Sequence, residues 1–202
     1  MVVVSRIALC AVYLVGLAVA EGLRLSRRLA RAGSGEAWHR PGGRRPVGEA
    51  FVLSAVVAGI WLLPIAYVFT RWLDAFDYRL PSWTAWPAFV VFTASLLVRW
   101  AGQSALGRAW SPTVETTDGH RLVTAGIYAR IRHPIYASLL LWAIAQPLLL
   151  QNILAGWGGA VAVALIWLVR VPAEEKMMLE RFGGDYVTYM RHTGRFIPRS
   201  RD

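Results

Sequence analysis

The chain has 202 residues, of which 56% are hydrophobic and 17% charged; that charged share is below the roughly 25% of soluble domains. A net charge of +10 would raise nucleic-acid binding in a soluble protein. Here the basic residues flank long apolar runs, which excludes that class in favour of an integral membrane protein, all-α and polytopic. One cysteine, Cys10, and four scattered histidines, His39, His120, His133 and His192, allow no internal disulfide and no local zinc spacing, so no metal is expected.

Five apolar runs follow one another at about residues 2–23, 50–72, 83–100, 135–150 and 153–169. Each approaches the ~20 residues needed to cross a bilayer, and the last two are short. The first run ends in Ala18-Val19-Ala20, which also fits a cleavable signal peptide. The arginines from Arg24 to Arg45 would then have to cross the membrane, so a retained helix is expected. Pro64 and Pro147 fall inside runs and should kink them locally, with neighbouring helices satisfying the freed carbonyls. Only Gln151 and Asn152 separate the last two runs, which implies an antiparallel helical hairpin.

Arginine crowds the first loop, the third loop (Arg108, Arg121, Arg130, Arg132) and the tail, whereas the second loop balances Arg71 and Arg79 with Asp74 and Asp77. That alternation predicts about five spans with the C-terminus cytoplasmic, as in a bacterial inner membrane. The Gly/Pro/Arg-rich stretch 31–46 reads as a surface connection, and Asp118-Gly119 marks a turn in the third loop. The chain reads as one membrane domain, with helices over 1–101 and a binding loop, hairpin and tail over 102–202. After Pro172, expected to bend the chain, a helix over 174–182 should carry Met178, Leu179 and Phe182 on one stripe. Gly183-Gly184 should end it, and Asp185 should cap a short helix bearing Tyr186 and Tyr189.

The densest polar cluster, Arg130-Ile131-Arg132-His133-Pro134-Ile135-Tyr136, stands at the mouth of the fourth run. Pro134 suits the first turn of a helix, which places His133 near the N-cap. The helix N-terminus and the two arginines suit a carboxylate or phosphate. An arginine anchor at lipid headgroups, with Tyr136 in the aromatic belt, is the plainer reading of the same residues. The hairpin returns Glu174-Glu175 to this face. They could pair with Arg130, Arg132 or Arg170, or recognise an ammonium or hydroxyls. Together the two clusters offer complementary partners for a zwitterion.

These residues resemble the isoprenylcysteine carboxyl methyltransferases and related phospholipid methyltransferases. The resemblance rests on Gly126-x-Tyr128, Arg132-His133-Pro134-x-Tyr136, the hairpin, Glu174-Glu175, Phe182-Gly183-x-x-Tyr186-x-x-Tyr189 and Pro198. It covers roughly residues 120–198, with Ile127 where the family often has proline. It implies a membrane methyltransferase that takes its methyl group from S-adenosylmethionine without a Rossmann domain, and no G-x-G-x-x-G follows a strand-like segment here. On that resemblance His133, Tyr136, Glu174, Glu175, Tyr128, Arg132, Leu122, Val123 and Gly126 are the expected cofactor contacts, and Arg195, Glu175 and Tyr189 the expected catalytic groups. The acceptor is expected to be lipophilic, an isoprenoid thiol or carboxylate or a lipid amine, entering sideways from the bilayer. An NADPH-dependent reductase of sterol-reductase type is the alternative enzyme. A transport or scaffold protein should carry more ionisable residues within its spans.

Overall fold

A computed structural model describes residues 5–32, 47–106 and 122–199. The surface-connection reading of the first loop, His39, and Arg108, Asp118-Gly119, His120 and Arg121 of the third loop lie outside the described residues, in whole or nearly so.

The chain is all-α. Helix α1 spans Arg6–Ala32, α2 Val47–Val56, α3 Leu63–Phe69 and α4 Ala85–Leu106. Then come α5 at Pro134–Leu150, α6 at Ile153–Leu165, α7 at Val171–Phe182 and α8 at Gly184–His192. A π-helical turn over Val57–Leu62 joins α2 to α3, and another over Ile166–Arg170 joins α6 to α7. Among the described residues four helices are long and apolar enough to cross a membrane: Arg6–Leu29, Gly48–Phe69, Ser82–Leu106 and Ile153–Phe182, with α5 a shorter apolar fifth.

The prolines explain both π-turns. Pro64 and Pro172 each stand two residues beyond one. Proline lacks an N–H and crowds the carbonyl four residues before it, and a widened turn relieves both conflicts. The carbonyl that Pro64 leaves without a helical donor belongs to Ile60, and the buried Tyr13 hydroxyl donates to it at 2.8 Å. In the second case the expected bend at Pro172 does not interrupt the helix, which runs unbroken through 30 residues. At about 1.5 Å per residue that is roughly 45 Å, longer than a ~30 Å hydrocarbon core. The C-terminal third of this helix therefore projects beyond the bilayer.

The hairpin forms as its sequence requires. Gln151 takes the left-handed conformation at φ 49°, and Asn152 caps α6 by accepting from the N–H groups of Leu154 and Ala155 at 3.1 and 3.0 Å. The two helices of the hairpin pack against α4 and α2. Gly59 meets Gly158 so closely that a Cβ on Gly59 would lie 2.2 Å from the Gly158 carbonyl oxygen. Gln146, fully buried, donates to the carbonyls of Gly59 and Ala155 and ties the three helices together.

Two details of the tail differ from expectation. The inward face of α7 is Val171 and Glu175, with Glu174 and Met178 partly buried, whereas Leu179 is exposed. The helix continues a longer one, so its register was set upstream of residue 174. Asp185 caps nothing: Gly183, at φ 51°, occupies the N-cap of α8 and Asp185 lies in the first turn.

Candidate active site

Pro134 starts α5 with its fixed φ, so His133 occupies the N-cap, with non-helical backbone at φ −122° and ψ 60°. The chain just before it pairs with the tail. Arg132 N–H donates to Gly194 O at 2.8 Å, His133 N–H to Arg195 O at 3.0 Å, and Gly194 N–H to Arg130 O at 3.0 Å. The His133 ring then faces α7. Its Nε2 lies 3.2 Å from Glu175 Oε1, and its Nδ1 lies 4.0 Å from Glu174 Oε2.

The two glutamates have separate partners. Arg195 forks onto Glu175, its Nε donating to Oε1 at 3.0 Å and an Nη donating to Oε2. Arg132 Nε stands 3.6 Å from the same carboxylate. The Arg195 guanidinium is held still more firmly in its charged form by that hydrogen bond to Glu175. Glu174 instead accepts from the Tyr136 hydroxyl and from Arg170 Nε, the latter at 3.0 Å. The Tyr136 ring stacks on His133 at a centroid distance of 5.6 Å. On the other side of His133, Phe196 stacks on Trp167 at 4.6 Å.

This wall borders a cavity of about 350 Å³, within the range of small-molecule sites. The structure brings Leu122, Val123, Tyr128, Arg132, His133, Tyr136, Glu174 and Tyr189 to its lining, with Met177 and Met178 beside them. Gly126, Glu175 and Arg195 are not in that lining. Gly126 makes a left-handed turn at φ 62°, and Glu175 and Arg195 stand behind His133. Arg132 has two backbone duties, donating to the Met190 and Thr193 carbonyls. Tyr189 donates its hydroxyl to Tyr128 O at 2.7 Å. Burial pushes Tyr186 and Tyr189 up to about 12, and it raises Tyr128 further still. All three are neutral phenols at ordinary pH, which suits packing and hydrogen bonding rather than proton abstraction.

The opposite wall was missed in the sequence. Glu21 and Arg24 of α1 and Arg99 of α4 line the same cavity. Arg24 pairs with Glu21 at 3.2 Å. Arg99 makes no hydrogen bond or ion pair among the described residues; its buried Nε has no partner, and the Glu21 carboxylate acts on it only through space. An unpaired guanidinium beside apolar surface is costly unless a ligand supplies the anion. The helices outrun their apolar runs, so the expectation of almost no ionisable residue within the spans is corrected by Glu21, Arg24 and Arg99. Between the two walls, Leu17, Val52, Val56, Ile60, Leu139 and Trp142 give the cavity an apolar interior.

The arrangement therefore offers a dipolar, aromatic-lined wall for a zwitterion, a lone cation for an acid and an apolar interior for a hydrocarbon tail. The donor set fits the amino-acid end and the adenosine of S-adenosylmethionine: the ion pair of Glu174 and Arg170 beside the His133 ring, and ring faces and thioethers at Tyr128, Tyr136, Met177 and Met178.

Residues 86–180 match the profile of the Isoprenylcysteine carboxyl methyltransferase (ICMT) family. The chain is similar to Protein-S-isoprenylcysteine O-methyltransferase B of Arabidopsis thaliana, 32% identical over 85 residues that cover 42% of this chain and 43% of that protein. It is 33% identical to Protein-S-isoprenylcysteine O-methyltransferase of Homo sapiens over 84 residues, covering 42% of this chain and 30% of that protein. Among solved structures it resembles the eukaryotic intramembrane Ras methyltransferase ICMT, with a TM-score of 0.53 and 27% identity, covering 76% of this chain and 54% of that one. The chain thus spans about half or less of the length of these relatives.

Proposed function

We propose, from the match of residues 86–180 to the isoprenylcysteine carboxyl methyltransferase family, that the chain is a membrane methyltransferase of that family acting on a lipophilic carboxylic acid with S-adenosylmethionine as donor. The observation that carries this reading is the pairing of walls in one cavity: Glu174, Arg170 and His133 on one side, Arg99 with no partner among the described residues on the other, and apolar surface between. When bound, S-adenosylmethionine supplies a methyl group already activated on a sulfonium.

The residues of this chain have the remaining work. Glu174 takes the amino group of the donor, and Arg170 and His133 take its carboxylate. Leu122, Val123, Tyr128 and Tyr136 line the adenosine. Glu175 does not reach the cavity and acts as a positioning residue: it holds the His133 ring by Nε2 and anchors the tail through Arg195. Arg99 orients the acceptor carboxylate. A carboxylate is already a nucleophile and needs no general base, which agrees with the absence of an uncommitted carboxylate or histidine on the donor wall among the described residues. The work left to the protein is alignment and exclusion of water, which can supply up to ~7–11 kcal/mol of a barrier.

The tail of the acceptor enters from the bilayer between α1 and α2. The Tyr13–Ile60 hydrogen bond joins α1 to the π-turn that follows α2, and Glu21 and Val52 line the cavity on this side. The arginine-rich loops support a cytoplasmic position for this end of the bundle. An NADPH-dependent reductase is not favoured by the family the chain matches.

The test is incubation of purified protein with methyl-labelled S-adenosylmethionine and S-prenylated cysteine acids, alongside a lipid extract. The account expects label in a base-labile methyl ester. Label in a lipid amine, or none in any lipophilic acid, would overturn it.

A further inference from the structure

The cavity has a floor. The lining residues that lie furthest from the His133 end are Leu17 from α1, Ile60 and Trp61 from the π-turn and Trp142 from α5. One turn deeper, Tyr13 and Phe92 are almost completely buried and absent from the lining. Trp142 is fixed on this layer by two kinds of contact. Its indole Nε1 donates to the Tyr13 hydroxyl at 3.2 Å, and that hydroxyl donates onward to Ile60 O at 2.8 Å. Its ring meets the rings of Tyr13 and Phe92 edge-on at 5.6 and 4.6 Å.

The layer beneath cannot yield. A Cβ added at Gly16 would lie 2.1 Å from the Phe92 ring, so there is no slack for a chain to push past Trp142. Close-packed interiors resist even one added methylene. With about 350 Å³ in all, the cavity sits near the lower end of ligand sites. A tail that follows the apolar lining inward ends against the indole.

We infer that Trp142, braced by Tyr13 and Phe92, limits the length of the acceptor's hydrocarbon tail and so determines which lipophilic acids this protein accepts. The inference rests on the methyltransferase reading of the same cavity and adds the feature that selects among its acceptors. Leu17, on the facing wall of the same layer, sets the width there. A pocket that gains or loses hydrocarbon room changes discrimination by about 10- to 200-fold per methylene-sized step.

The experiment compares S-geranyl, S-farnesyl and S-geranylgeranyl cysteine acids as methyl acceptors by relative kcat/KM, in the wild-type protein and in Trp142→Leu and Leu17→Phe. Binding of S-adenosylhomocysteine reports whether each variant is folded. The wild type should show a drop of about tenfold or more at the first acceptor too long for the floor. Trp142→Leu should move that drop to a longer tail, and Leu17→Phe should move it to a shorter one. The same ranking in all three proteins, with every acceptor methylated, would overturn the length limit and leave the methyltransferase reading intact. If Trp142→Leu fails to bind S-adenosylhomocysteine, the Leu17→Phe profile decides. No methylation of any of the three acids would sink the reading and the length limit together.

Discussion

At the end of the bundle where α5 turns into α6, charges close upon one another. Arg6 reaches Asp74 at 3.1 Å and Asp77 at 2.8 Å, and Arg71 reaches Asp74 at 3.1 Å. Asn152, fully buried, donates to Asp77 Oδ1 and to Leu73 O while capping α6, and Tyr78 donates to Pro147 O. At the other end, Glu174, Glu175, His133, Arg170 and Arg195 are paired as densely, yet they stand beside a cavity that also holds Arg99, which has no partner among the described residues. Ion pairing alone does not distinguish a clamp from a site. The clamp also borders a cavity, lined by Arg6, Asp77, Tyr78 and Gln151, so the distinguishing feature is a charge facing the space that no described residue matches.

Substitutions at the two ends should separate these roles, beginning with the largest effect. Glu175 is 9% exposed as a side chain and lies against Arg132, His133 and Arg195. Its replacement in Glu175→Gln leaves buried positive charge without its counter-charge, a loss of on the order of 3–5 kcal/mol when a buried pair is broken. Affinity for S-adenosylhomocysteine should fall a hundredfold or more while the protein still inserts. Arg99→Gln comes next. It should raise KM for a lipophilic acid by roughly 10- to 100-fold, about the 1.5–3 kcal/mol of a hydrogen bond to a charged group, and leave donor affinity unchanged. An equal loss of donor affinity would place Arg99 on the wrong wall.

Asn152→Ala tests the clamp. It removes a helix cap and two buried hydrogen bonds, so stability should fall by about 1–3 kcal/mol in a thermal melt, with donor affinity preserved. Asp74→Asn should do least. Hydrogen bonds from Arg71 and then from Arg6 hold the Asp74 carboxyl below the ordinary aspartate range. A lowered folded-state value means its contribution is present above that range and disappears as the pH falls through it. The group is exposed, so the effect should be small and should shrink with added salt. A collapse of activity in Asp74→Asn would show that the two ends are coupled.

Most of the fold was legible. Five apolar runs, the Gln151-Asn152 turn and Pro134 at the first turn of α5 each correspond to what formed. So does the convergence of Glu174-Glu175 on His133, because a two-residue hairpin returns both to one face. The π-turns were not legible as such. Pro64 and Pro172 announce a conflict, but whether the helix breaks or widens depends on packing, as with the Ile60 carbonyl that Tyr13 satisfies. Tyr189 was read as chemical, yet its hydroxyl is spent on the Tyr128 carbonyl across a contact 61 residues apart in sequence. Arg99 was overlooked because it stands at the end of an apolar run, where an arginine ordinarily anchors a helix at headgroups. Only the assembled bundle shows that it faces a cavity instead of lipid.

The central claim is that the wall built on His133 and Glu174 holds an adenosine-bearing methyl donor. Calorimetric titration of the purified wild-type protein with S-adenosylhomocysteine and, separately, with NADPH addresses it directly. The account predicts saturable one-site binding of S-adenosylhomocysteine and none of NADPH. Binding of NADPH alone, or of neither by a folded protein, would contradict it.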